Sequence, residues 1–321
     1  VAKGLPHSDT RATSLKEAKV AIVPAFPPQK VIIESGFDYL GADADRRRIY
    51  AAHTGSGALT VVNADTGAVI GQVDVGLLHG VAVNPDNGHV YTGDSEKRMV
   101  VDVDPVAMTV GPTVAVTGLV DAVVYDAKYH HIYADEDDGT RLFVVDSRTM
   151  TLAGTVALPG HKPEYMAIDP RTHNLYQNIA NISEFVIINP DTLRIVKTVK
   201  TPEIVSNHGL GLDAERGHLY ITGRNGVLSV YDLSGNHVSS LKFGRRSDQC
   251  MVDAIRHNIA CAGDGFITVF HDGGSAGVSL VGQRQIDPDV HTLTFDTKTG
   301  YVWAAWAAKD GDYIQGFQLT P

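Results

Sequence analysis

The sequence predicts an all-β, seven-bladed β-propeller with four-stranded antiparallel blades. Three observations predict it: a seven-fold repeat, four short strand patterns per repeat, and glycine-containing turns between them. An Asp or Asn is followed seven residues later by an aromatic. Asp43 leads to Tyr50, Asn84 to Tyr91, Asp126 to Tyr133, Asp169 to Tyr176, Asp213 to Tyr220 and Asp296 to Trp303. Asp253 leads to Ala260, the one substitution. These seven anchors lie 41, 42, 43, 44, 40 and 43 residues apart. A period of about 40 to 45 residues with four strands per unit is the signature of a propeller blade.

The elements within a unit follow in order. An apolar run precedes each anchor, as in Gly80-Val81-Ala82-Val83, and a turn follows, as in Pro85-Asp86-Asn87-Gly88. The next strand carries the aromatic. A third alternating run follows, such as Leu142-Phe143-Val144-Val145, and a fourth such as Leu193-Arg194-Ile195-Val196. Period-two alternation between such turns favours strands over helices. The last repeat supplies only three strands. The run Lys30-Val31-Ile32-Ile33-Glu34 is expected to be its missing outer strand, added from the N-terminus to close the ring. Residues 28–321 are then the propeller. Residues 1–27 are an N-terminal extension, with a short helix expected over 14–19.

Composition agrees. Of 321 residues 43% are hydrophobic and 20% charged, as in a folded globular chain. The 32 glycines and 14 prolines suit many turns. A net charge of −10 without a basic block argues against nucleic acid or an anionic membrane as partner. No apolar run approaches the roughly 18 residues of a membrane-spanning helix. The chain begins at Val1, which is read as export to the periplasm or outside the cell after removal of a leader. Its two cysteines, Cys250 and Cys261, fall opposite each other on neighbouring strands. A cross-strand disulfide and two buried thiols are both open.

The runs His79-Gly80-Val81-Ala82-Val83-Asn84-Pro85-Asp86, His89-Val90-Tyr91 and Lys162-Pro163-Glu164-Tyr165-Met166-Ala167-Ile168-Asp169-Pro170 resemble the YVTN-repeat (YncE-like) propeller family. The resemblance covers residues 28–321 and implies the propeller fold. It implies no single activity, because such folds carry many.

The chemistry is sought where each first strand begins, five residues before its anchor, near one mouth of the central channel. Those positions hold Asp38, His79, Asp121, Glu164, His208, Asp248 and His291. Every one is His, Asp or Glu. The histidines lie on blades two, five and seven, close to trigonal. His79, His208 and His291 are therefore expected to ligate a divalent transition metal, with one position left open. Zinc is the first expectation, and Mn, Fe, Ni or Cu would also suit imidazole. Glu164, Asp121 or Asp248 would be a fourth ligand or general base. A solvated polar ring without metal would present the same pattern.

Pairing the −5 position with the residue ten after the anchor places Asp38 opposite His53, His79 opposite Asp94, and Asp121 opposite Glu136. Asp38–His53 would be an acid/base dyad. Asp94 would orient His79 from behind, and Glu136 would crowd Asp121. The same register sets His291 opposite Trp306. Arg246, Arg224, Trp306, Tyr165 and Asn207 are candidate substrate-binding residues. His89, His130, His131, His173, His218 and His257 repeat with the turns at the opposite mouth and read as structural or solvated. There is no Gly-x-x-x-x-Gly-Lys phosphate loop and no Gly-x-Ser-x-Gly elbow. The resulting expectation is a metal-dependent hydrolase or lyase acting on a small oxygenated or acidic substrate. The competing expectation is a non-catalytic metal- or ligand-binding propeller.

Overall fold

The computed structural model describes residues 19–55 and 57–321. Residues 1–18, which hold most of the expected extension and of the helix expected over 14–19, lie outside the described residues. Six four-stranded antiparallel sheets and a seventh, closing sheet form the seven blades. Among the described residues no helix is long and apolar enough to cross a membrane.

The repeat works because of what its two marked positions bury. Tyr50, Tyr91, Tyr133, Tyr176, Tyr220 and Trp303 are all among the largest fully buried side chains. Each sits on a second strand and fills the space between sheets, which is what large aromatic wedges do best. In blade six, where Ala260 takes that place, the neighbouring Cys250 and Cys261 are directly paired across the strands and form a disulfide.

The anchor acids hold the turns. Asp213 Oδ1 accepts the backbone N–H groups of Glu215 and Arg216, each at 3.0 Å. Asp126 does the same for Lys128 and Tyr129. The fourth residue after every anchor then takes a left-handed conformation: Arg47, Gly88, His130, His173, Gly217, His257 and Gly300 all have φ between 55° and 78°. From there three of them reach back to the anchor of the preceding blade. His173 Nδ1 lies 2.9 Å from Asp126, His257 Nδ1 lies 2.7 Å from Asp213, and Arg47 grips Asp296 through two bonds of 2.8 and 2.6 Å. The turn histidines His173 and His257 are thus structural, as expected.

Ring closure differs from the expectation. The strand that pairs with the last blade is Ala21–Pro24, in register Ala21↔Thr320 to Pro24↔Phe317, followed by a two-residue pairing of Gln29–Lys30. The run 30–34 does not form the outer strand. Pro27 and Pro28 cannot donate to a ladder, so they split the added edge into two short pieces. Val31 then turns inward and is buried, while Ile32 is 87% exposed. The propeller therefore begins upstream of residue 28.

The Arg47–Asp296 pair joins blade seven to blade one with Asp296 fully buried. Removing one partner of a buried pair leaves an uncompensated charge. Arg47→Ala should cost about 3 kcal/mol in urea unfolding. Adding Asp296→Asn to it should recover part of that loss, and full additivity of the two changes would contradict the pairing.

Candidate functional site

The first strands do not begin as simple ladders. In blades one, three, four and five the register shifts by one residue just before the anchor strand becomes regular. The observed partners are Phe37↔His53, Val120↔Glu136, Pro163↔Ile179 and Asn207↔Gly223. Each is one residue earlier than the straight count implies. Two residues on the first strand oppose one on the second, which is a β-bulge. The bulge turns the −5 side chain out of the ladder and into the channel mouth.

The bulge corrects the expected cross-strand pairs. Asp38 does not face His53. His53 is fully buried behind Phe37, its ring centroid 4.4 Å away, with Nε2 bonded to Thr60 Oγ1 at 2.7 Å. Burial, only partly offset by Asp312, lowers its pKa to about 4. It is no base for the mouth. Glu136 is taken by Arg141 rather than Asp121. Asp94 pairs with Lys97 and does not touch His79, because the first strand of blade two is only Ala82–Val83. Trp306 stacks on Tyr313 inside a core cluster. Asn207 is fully buried and ties Thr201, Asn178 and Glu184 together. Arg246 offers its backbone N–H to Asp264. None of these last three lines the mouth cavity.

All seven −5 residues do line it. The cavity is about 260 Å³, with Tyr39 and Tyr165 packed as its floor, their rings tilted by 33° and 5.1 Å apart between centroids. Arg224 and Asp137 complete its charged wall. On one side His79 Nδ1 lies 2.5 Å from Asp38 Oδ2 and 3.7 Å from Asp121 Oδ1. Among the described residues this trio forms the one set of His, Asp, Glu or Cys donors in which all lie within 4.8 Å of one another. The carboxylate that His79 meets is therefore Asp38 and not Asp94.

The other two histidines are placed differently from the expectation. His291 donates from Nδ1 to the Asp289 carbonyl at 2.5 Å and from Nε2 to the Phe37 carbonyl at 3.0 Å. Both acceptors are carbonyls, so both ring nitrogens must carry protons, and neither has a lone pair for a metal. Burial works against that charge, but the carbonyl and the acids Asp289, Asp38 and Asp248 outweigh it and raise the pKa. His208 donates from Nδ1 to the Ser206 carbonyl at 2.7 Å. Its Nε2 accepts from Arg224 at 2.9 Å and lies 3.3 Å from Glu164 Oε1. Arg224 also approaches Asp248 at 3.7 Å. The three-histidine ligand set is thus replaced by an Asp–His–Asp group on one wall and a Glu–His–Arg–Asp group on the other.

The electrostatics follow from crowding. Burial, then Asp135, Asp38, Asp248 and Asp137, push Glu164 up to about 9. Burial and the charges of Asp38, Asp135 and Glu164 raise Asp121 well above the carboxylate range. His79 is lowered by burial, but its bond to Asp38 prevails and its pKa rises.

Two acids were missed from the sequence. Asp135 is fully buried, accepts the Ala122 N–H at 2.8 Å and accepts Gln177 Nε2 at 2.9 Å. Burial lifts it to about 8 despite those bonds. Asp137 lies at the cavity wall, raised by burial and Asp138. The visible signal was the run Asp135-Glu136-Asp137-Asp138, whose alternation sends 135 and 137 to the side that 136 does not use.

No family model matches this chain, and no curated protein matches it in sequence. Solved structures do match in fold. Kuenenia stuttgartiensis hydrazine synthase is 13% identical with a TM-score of 0.77, covering 89% of this chain and 96% of that one. The RRP9 WD40 repeats are 10% identical with a TM-score of 0.77, covering 95% and 100%. Identities this low show the β-propeller fold alone.

Glu164 gives a pH test. Its carboxyl ionises near 4.5 in the unfolded chain and near 9 in the folded one. Between those values the folded state holds the extra proton, so stability falls as pH rises. Chelator-treated protein should lose stability in urea from pH 5 to pH 9, and Glu164→Gln should flatten the slope. Rising stability across that window would contradict it.

Proposed function

We propose that the mouth binds a divalent transition metal between Asp38, His79 and Asp121, and that the protein is a metal-dependent hydrolase or lyase. The observation that carries this reading is the convergence of those three donors within 4.8 Å on the wall of a cavity whose other wall holds Glu164, His208 and Arg224. One imidazole with two carboxylates suits zinc or manganese. A cation would take the place of the proton that His79 and Asp38 share. It would also offset the repulsion from Asp38, Asp135 and Glu164 that adds to burial in raising the Asp121 carboxyl. When bound, such an ion supplies Lewis acidity toward an oxygen of the substrate.

The remaining roles fall to the chain's own side chains. Among the described residues Arg224 is the one permanent cation lining the cavity, and it would orient a substrate carboxylate. Engaging it draws the guanidinium from His208 Nε2, whose lone pair is then free to accept a proton. Glu164, held protonated, donates one to the leaving group. Tyr39 and Tyr165 exclude water from below. The repeated motifs support membership of the YVTN-repeat family, and the Cys250–Cys261 disulfide supports a periplasmic or secreted location.

A second reading, a non-catalytic cation-binding propeller, is favoured by the surplus of carboxylates over any single coordination sphere. Metal analysis and turnover separate the two. About one metal per chain should be found, lost in Asp38→Asn with His79→Ala, and kept in His291→Gln and Glu164→Gln. Glu164→Gln should lower turnover of small lactones, esters or hydroxy acids at least about a hundredfold. Bound metal without turnover selects the second reading, and metal-free wild type under metal supplementation sinks both.

A further inference from the structure

Beneath the tyrosine floor lies a second cavity of about 260 Å³ that the acidic mouth does not explain. First strands of blades one to six line it, with residues such as Leu40, Val81, Val124, Ile168, Leu212 and Val252. Val81, Val124, Ile168, Leu212, Met251 and Val252 are only partly buried, although they stand on the innermost strands of the ring. Apolar side chains that enclose one open space without a filling partner are the common lining of small-molecule sites.

Charge sets this channel apart from the mouth. Tyr39 and Tyr165 are alone among its lining residues in carrying a side-chain oxygen or nitrogen, and burial keeps both phenols neutral. The same two rings line the acidic cavity, so they close the channel at that end. At the other end the channel shares Leu40, Val81, Val123, Val124, Met251 and Val252 with a wider opening of about 340 Å³. That opening reaches Ala44 and Thr297 at the anchor turns, and among the described residues no charged side chain lines it. The channel is therefore a pocket with a tyrosine end and an entrance at the turn face. An ion inside it would give up its hydration without meeting a counter-charge, whereas an uncharged apolar molecule gains by leaving water. Volume sets the size of the occupant. An apolar cavity of about 150 Å³ takes up benzene, so about 260 Å³ suits a molecule of about ten carbons.

We propose that the channel is a binding site for an uncharged, largely apolar molecule of about ten carbons, entering from the turn face. Side chains of six blades surround it, and its inner end rests on the tyrosine pair. No part of this reading needs a metal at the opposite mouth.

Titration of the whole protein with benzene and naphthalene, followed through the methyl resonances of Met166 and Met251, tests it. Both methionines line the channel. Naphthalene should bind at least about tenfold more tightly than benzene, because it removes more apolar surface from water. Naphthoate and naphthylmethylammonium, which add a charge of either sign, should each bind at least about tenfold more weakly than naphthalene. Bound naphthalene should show nuclear Overhauser contacts to both methyl groups in the wild-type protein. Val252→Trp, which fills the channel, should weaken naphthalene at least about tenfold. Absence of naphthalene binding, benzene bound as tightly, equal affinity for either charged analogue, contacts that avoid both methionines, or unchanged binding by folded Val252→Trp would each overturn the proposal. The wild-type contacts decide the matter if Val252→Trp does not fold.

Discussion

The structure depends on a carboxylate that caps a turn and binds the next blade with the same two oxygens. At Asp126 one side chain accepts two backbone N–H groups of its own hairpin and the imidazole of His173 from the neighbouring blade. Asp213 and His257 repeat this, and Asp296 uses Arg47 to close the ring. Where the following blade offers Gly88 or Gly300 instead, an arginine of the same blade crosses over, whereas among the described residues no side chain approaches Gly217 in the same way. Arg46 bonds Asp43 and then the Pro85 and Asp86 carbonyls. Arg256 bonds Asp253 and then the Thr297 and Lys298 carbonyls. Glycine is required there for space as well as for φ: a Cβ on Gly88 would lie 2.6 Å from Arg46, and one on Gly300 2.8 Å from Arg256. Asn84 is the exception that supports the rule. It is uncharged, and His130, at the equivalent place in blade three, makes no hydrogen bond to it.

This lock uses up one end of every first strand and leaves the other end free. At the free end, bulges in four of the blades present −5 side chains that no ladder needs. Their surroundings are then set by burial and by one another. The same acid type that is held ionised at the turns, as Asp296 is by Arg47 despite its burial, is held protonated at the mouth, as Glu164 is. The difference is the partner: a guanidinium and backbone donors at one end, other carboxylates at the other.

What the sequence made legible follows the same division. The seven-fold anchor and its aromatic could be counted, because each blade solves one packing problem with one residue type. The seven mouth positions could be named for the same reason. Their partners could not. A bulge adds a single residue, and one residue reverses which face a side chain takes, so Asp38 was matched to His53 although its partner is His79. His291 was counted as a ligand because one of its two acceptors is a backbone carbonyl two residues upstream, at Asp289, and the other, at Phe37, belongs to blade one; neither shows in side-chain identity. The closing strand was misplaced because Val31-Ile32-Ile33 reads as a strand by composition, while Pro27-Pro28 decides where pairing can occur.

The two ends of the channel therefore differ for a reason built into the blade. A four-stranded antiparallel sheet must place its first hairpin turn at one end of the channel and its strand entry at the other. Turns need fixed acids and left-handed residues, and their carboxylates have no spare capacity for a ligand. Strand entries need neither, so their side chains are free to vary without loosening the ring. A site that demands clustered, mutually repelling carboxylates is costly to hold, and the propeller can hold it because the stabilising contacts lie at the turn end, away from the mouth. The tyrosine pair Tyr39–Tyr165 completes that separation. It keeps the acid mouth from the apolar channel, so that each can have its own dielectric and its own chemistry.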